Sequence, residues 1–312
     1  MRSGYFVLGL ASALTVLAAE PPAPVQSPPA GDQLYQLGQQ LFDQYAPPEV
    51  KAQYDFPTKE QWDGFAARLQ AALDHGSLED LAALEPEARA ALVSARTLPD
   101  AREYADWLEL RLDEMGAARQ ALAPLPAPGP VRRPYPAVPL FELWQARLRG
   151  RPLPAGAALM PRLRPAFAAE GVPPELAWLA EAESDLNPGA RSPAGARGLF
   201  QLMPETAHHL GLGTFLPDER SDPEKSAGAT ARYLRSLYGK FGSWPLALAA
   251  YNAGEGRVAR LLAARDAGDF AGIASALPVE TRMYVPKVLA LVDLRTGVAP
   301  AALRAPAAEK GR

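Results

Sequence analysis

The chain has 312 residues, 48% hydrophobic and 21% charged, a soluble globular composition whose length exceeds one typical domain of roughly 100–200 residues. A formal net charge of −3 gives no basic footprint for nucleic acid. With no cysteine and only three histidines, disulfides, thiolate zinc sites, a cysteine nucleophile and acylation of a lipoprotein cysteine are excluded too.

Residues 1–19, MRSGYFVLGLASALTVLAA, place Arg2 ahead of an apolar run from Tyr5 to Leu17 and end in small residues. They read as a secretory signal peptide, because the run is shorter than the ~20 residues a spanning helix needs. An uncleaved amino-terminal anchor is the alternative, and either exports the bulk of the chain. Residues 20–31, EPPAPVQSPPAG, are a proline-rich tether with nothing to bury.

From 32 to 123 apolar residues recur at helical spacing: Leu34, Leu37 and Leu41, then Trp62, Phe65, Leu69 and Leu73, then Tyr104, Trp107, Leu108 and Leu112. The pattern predicts a small amino-terminal helical domain. The acids between Asp100 and Glu114 alternate with Arg102 and Arg111 and read as a solvated helix face. No chemistry attaches to this region beyond spacing or docking of partners. Residues 124–139, PLPAPGPVRRPYPAVP, form a second proline-rich linker and the best domain boundary.

Residues 140–298 are the second domain. Helices are expected over Leu140 to Leu148 and Met160 to Glu170, and Pro173-Pro174 starts another. Along it Leu176, Leu179 and Glu183 fall on one face, so the carboxylate points inward at the last turn, near Ser184. An inward carboxylate needs pairing, protonation or a function. An apolar wall would raise its pKa and make it a general acid. Asp185, two residues on, should point away from Glu183 if the helix continues.

The following loop, SPAGARGLFQ from Ser192 to Gln201, crowds Gly195, Ala196 and Gly198 where backbone must approach something closely. That something is either a neighbouring helix or a ligand, in which case Ser192 and Gln201 aim into the same cavity. Pro204 begins a helix ending at His208-His209, which lack further ligands at metal spacing and read as a solvated helix end. Asp222-Pro223 is a cap-and-start pair, with Thr230, Leu234, Leu237 and Phe241 as the buried stripe behind it.

Ser243-Trp244-Pro245 starts a helix of small apolar residues that ends in Tyr251-Asn252 before a stop at Gly254. Two polar tips at the end of such a helix need a reason. Glu280 opens the last helix, whose inner stripe is Tyr284, Val288 and Leu291; the carboxylate is either a partner of the helix dipole or a site acid. Residues 299–312 read as a frayed tail. No strand-period stretch or internal repeat stands out, so the fold class is all-α.

Four blocks in order, ES-x-x-x-P-x-A-x-SPAGARGLFQLMP-x-TA from Glu183, DP at Asp222, ALAAYNAGEGRV ending at Val258 and ETRMYVPK from Glu280, resemble the soluble lytic murein transglycosylase family. The likeness spans roughly Leu140 to Leu294. The PPELAWL approach and the last two blocks are most similar to the membrane-bound type D enzymes. The resemblance implies a lysozyme-like, mostly helical catalytic domain with a glycan-binding groove. It also implies a periplasmic enzyme whose partner is peptidoglycan, cleaved between N-acetylmuramic acid and N-acetylglucosamine with no metal or cofactor. By position Glu183 matches the catalytic acid and base, Ser192 and Gln201 the groove residues that hold the sugar, and Met203 a wall. Tyr251 and Asn252 match the pair beside the carboxylate, and Glu280 the acid of the last block.

Glycosidases that use two carboxylates need a second acid within about 5–9.5 Å. Asp185 does not offer one if the helix continues. One carboxylate suffices when the muramoyl 6-hydroxyl is the nucleophile, which yields 1,6-anhydro ends. Two alternatives stand beside this: a goose-type lysozyme using Asp185 or Glu280 to activate water, and a catalytically silent glycan-binding protein of the envelope.

Overall fold

In a computed structural model of the chain the described residues are 59–96, 102–123, 139–192 and 194–307. The expected signal peptide, the tether, residues 32–58 and nearly all of the 124–139 linker lie outside them. Among these described residues thirteen α-helices follow in order: α1 (Lys59–His75), α2 (Leu78–Ala83), α3 (Glu85–Arg96), α4 (Arg102–Leu122), α5 (Leu140–Leu148), α6 (Met160–Ala169), α7 (Leu179–Ser184), α8 (Pro204–His209), α9 (Pro223–Phe241), α10 (Trp244–Ala253), α11 (Glu255–Arg265), α12 (Phe270–Ala274) and α13 (Val279–Thr296). The described residues hold no strand, only isolated bridges from Arg197 to Arg191 and to Leu202. The class is all-α, as the sequence predicts. No helix among the described residues is long and apolar enough to cross a membrane.

The helices start and stop where local chemistry dictates. Asp222 caps α9 by accepting from the amides of Glu224 and Lys225, with Pro223 in the first turn, and Gly242 closes it in the left-handed conformation at φ 68°. Ser77 and Asp80 form a capping box on α2. Thr230, Leu234 and Leu237 are fully buried along α9, and Phe241 is half-buried at its end.

α13 is the centre. Val279, Thr281, Met283 to Val285 and Lys287 to Val292 are all buried, so it is enclosed on every side rather than presenting the single inner stripe of Tyr284, Val288 and Leu291. Its buried faces are mostly apolar, and the charges it carries at Glu280, Lys287 and Arg295 are each paired. It is packed by α1, α5, α7, α10 and the 3-10 turn Pro174–Trp178. The Trp144 indole of α5 donates to the Met283 carbonyl at 3.1 Å, satisfying its polar tip inside the core.

The helices before residue 124 do not stand apart. α4 packs on α2, α3, α5 and α7, and one continuous core runs from Leu69, Leu108 and Met115 to Trp144, Leu176, Leu234 and Val288. The expected frayed tail is also docked as far as it is described. The Trp244 indole donates to the Arg304 carbonyl at 2.8 Å, and the Ala307 amide donates to the Gly171 carbonyl at 2.8 Å. These bonds give the segment partners that composition alone does not reveal.

Candidate active site

The 3-10 turn Pro174–Trp178 feeds directly into α7, and Leu176, Leu179 and Ala180 are fully buried. The helix ends as expected at Ser184, because Asp185 and Leu186 both turn left-handed, at φ 51° and 60°. The helix therefore does not continue through Asp185, which instead caps it and is exposed. Two side-chain pairs hold α7 to α13. The carboxylate of Glu181, 3% exposed, is gripped at both oxygens by Arg295, at 2.6 and 2.9 Å. Two residues on, Glu183 faces inward, and the Tyr284 hydroxyl donates to its Oε1 at 2.6 Å.

Burial raises the pKa of Glu183 from 4.5 to about 7. The Tyr284 donor and the charges of Arg111 and Lys287 pull it down, while Glu280 pushes it up. The balance leaves a carboxyl group that is about half protonated at neutral pH, able to give a proton and take one back.

The small-residue loop wraps the end of α7. Ser184 Oγ donates to the Leu199 carbonyl at 2.9 Å, and the Tyr251 hydroxyl donates to the Phe200 carbonyl at 2.6 Å. Arg220, 7% exposed, donates to the carbonyls of Gly195 and Leu202 at 2.9 and 3.0 Å. Asp218 holds that guanidinium at 2.8 Å and also takes Arg197 at 3.0 Å; chiefly through Arg220, its own pKa falls to about 2. Gly198 is at φ +80°, and a Cβ there would sit 1.9 Å from the Arg220 carbonyl oxygen. The close approach that requires glycine here is therefore to the protein's own backbone.

The other sequence candidates fall around this frame. Ser192 is half-buried, and its Oγ accepts from the Ala196 amide at 3.0 Å. Gln201 takes φ 43°, and its amide donates to the carbonyls of Gly198 and Ala190 at 2.9 and 3.3 Å, closing its own loop. Met203 is 42% exposed at the start of α8, whose end carries the exposed His208 and His209. Among the described residues there is no cluster of three metal-binding side chains. Tyr251 is on α10, its ring 5.7 Å from that of Tyr233, and Asn252 Oδ1 accepts from Thr281 at 2.7 Å. The phenol bound to the carboxylate is thus Tyr284, not Tyr251.

Glu280 is half-buried and paired. Arg111 Nη1 lies 2.7 Å from its Oε1 and 2.9 Å from Oε2 of Glu114, whose Oε1 is 3.2 Å from Lys287 Nζ. Arg111, Glu114 and Lys287 are 7%, 2% and 2% exposed. The solvated face expected between Asp100 and Glu114 is corrected here: Arg111 and Glu114 point into the core, paired with each other one turn apart and with Glu280 and Lys287, which only the folded chain brings near. Burial raises the pKa of Glu280 above its ordinary value, Glu114 adds to this, and Arg111 opposes it. Sequence reasoning missed Tyr284 as a partner of Glu183, although its polar tip in an apolar stripe was a signal. For Arg111 there was no local signal, since Glu280 is 169 residues away.

Residues 165–272 match the transglycosylase SLT domain family. The chain is 37% identical over 147 residues to membrane-bound lytic murein transglycosylase D of Escherichia coli, the match covering 45% of this chain and 32% of that protein. It is 41% identical over 121 residues to the soluble lytic murein transglycosylase of Salmonella typhimurium, covering 36% of this chain and 19% of that protein. The matches thus span about a third or less of these curated relatives. A crystal structure of the 70 kDa soluble lytic transglycosylase of Escherichia coli aligns with a TM-score of 0.43 at 23% identity, over 88% of this chain and 45% of that one.

Proposed function

This chain carries a domain of the transglycosylase SLT family at residues 165–272, and from that premise we propose that it is a lytic transglycosylase. Its substrate is peptidoglycan in the cell envelope, cut between N-acetylmuramic acid and N-acetylglucosamine without water to leave 1,6-anhydro ends. The observation that supports this best is the half-buried Glu183, with its pKa raised to about 7 and its carboxylate bound by Tyr284. The protonated acid donates to the glycosidic oxygen as the bond to C1 breaks through an oxocarbenium-like state. The carboxylate so formed then takes the proton of the muramoyl 6-hydroxyl, whose oxygen closes on C1. No atom is gained from solvent, and the residue returns to its starting form.

Tyr284 orients the carboxylate, and Tyr251 and Asn252 set the helix end beside it. Ser192, Gln201 and Met203 line the sugar groove and Glu280 closes it. A hydrolytic, goose-type lysozyme is less well supported, because Glu280 is held by Arg111 and Asp185 is an exposed helix cap. Mass spectrometry of digested peptidoglycan tests the proposal. Wild-type protein should release muropeptides lighter by one water than the reducing products of a hydrolase, and Glu183→Gln should release none. Reducing ends from wild type would overturn it in favour of hydrolysis; no cleavage at all would favour a silent binding protein.

A further inference from the structure

We propose that Arg111, delivered by the amino-terminal helix α4, is a positioning residue of the active site: it clamps Glu280 on α13 and so governs the charge that Glu183 meets. The inference rests on the transglycosylase reading and gives the amino-terminal helices a part in the catalytic unit.

The geometry carries it. Four charged groups run in alternating sign between the two helices, Glu280, Arg111, Glu114 and Lys287, with contacts of 2.7, 2.9 and 3.2 Å. An apolar substitute for such a buried chain is often neutral or stabilising, so its presence calls for a role beyond cohesion. α4 also flanks the site at a second point: Asn187, four residues past Glu183, donates to Asp106 at 3.2 Å. Trp107, between these contacts, lies under the guanidinium at 5.9 Å.

The groups that bear on Glu183 come from three helices. α13 supplies Tyr284, Glu280 and Lys287, and α4 supplies Arg111; α10 brings the Tyr251 phenol, which responds to the Glu183 charge. Glu114 acts on Glu280 and Arg111. Of these, Arg111 alone touches Glu280 while also opposing the protonation of Glu183. Removing it leaves Lys287 as the one remaining cation among the groups that act on Glu183 and takes away the partner that holds Glu280.

The test is the pH dependence of kcat/KM on peptidoglycan, read as anhydro product, for the full chain and three variants. A general acid loses activity as pH rises through its pKa, so the basic limb reports Glu183. Arg111→Met should move that limb up by about one pH unit. Arg111→Lys, which keeps the charge, should return it toward wild type, and Glu280→Gln should move it down. Thermal melting of each variant separates folding defects, and where Arg111→Met is too unstable to assay, the downward shift in Glu280→Gln still tests whether the pair of Arg111 and Glu280 sets the charge at Glu183. Wild type that yields no anhydro product overturns the proposed function itself. An active wild type whose basic limb stays put in every folded variant overturns only the role of Arg111.

Discussion

The carboxyl group of Glu183 sits where burial and function pull against each other. Its folded pKa, about 7, lies above the ordinary 4.5, so the folded state holds the proton more tightly than the unfolded chain does. The stability this contributes is complete below pH 4.5 and is lost as pH rises through 7, a span worth up to roughly 3 kcal/mol. Gln keeps the acceptor for Tyr284 and never ionises. Glu183→Gln should therefore melt higher than wild type at pH 8, with the gain vanishing near pH 4; equal melting temperatures at pH 8 would show that the carboxylate is not strained in the fold. The inward direction of this side chain was legible in the sequence, because Leu176, Leu179 and Glu183 share a helical face. Its donor was less so, since an aromatic in an apolar stripe reads first as core, and only the fold aims the Tyr284 hydroxyl at Oε1.

Among the elements, the loop from Ala190 to Leu202 is shaped from outside itself. Hydroxyls from α7 and α10 and the Arg220 guanidinium hold its carbonyls, and Gly198 lets the Arg220 backbone come close. Gly198→Ala should cost roughly 3 kcal/mol, from the left-handed φ and the collision together. Activity should fall with it, as a denaturant midpoint and a digestion assay on the same preparation would show. The loop also has a pH dependence opposite to that of Glu183. Asp218, depressed to about 2, supports Arg220 fully above its ordinary pKa of 3.8 and releases it as pH falls through 2. From the sequence, the small residues signalled a close approach but not which partner made it. The partner is Arg220, whose reach could not be guessed from a polar residue between Glu219 and Ser221.

For the whole molecule, the all-α class and the helix boundaries at Ser184, Asp222 and Gly254 followed from local chemistry: caps, prolines and apolar spacing. What local chemistry could not supply was the partner of each charged face. Arg111 and Glu114 look solvated on a helix read alone, and the residues from 299 look unanchored until Trp244 and Gly171 are brought beneath them. The two sides of residues 124–138 also share one core, which a proline-rich connector does not announce. Burial of α13 on all sides has a consequence for the timing of motion. Its backbone amides have no local opening to exchange through, so in heavy water they should exchange only as fast as the entire protein unfolds, while those of the loop from Ala190 to Leu202 exchange sooner. The groups Glu280, Tyr284 and Lys287 then ride on the slowest-exchanging part of the molecule, and any breathing that admits a long polymer must come from the wall opposite them.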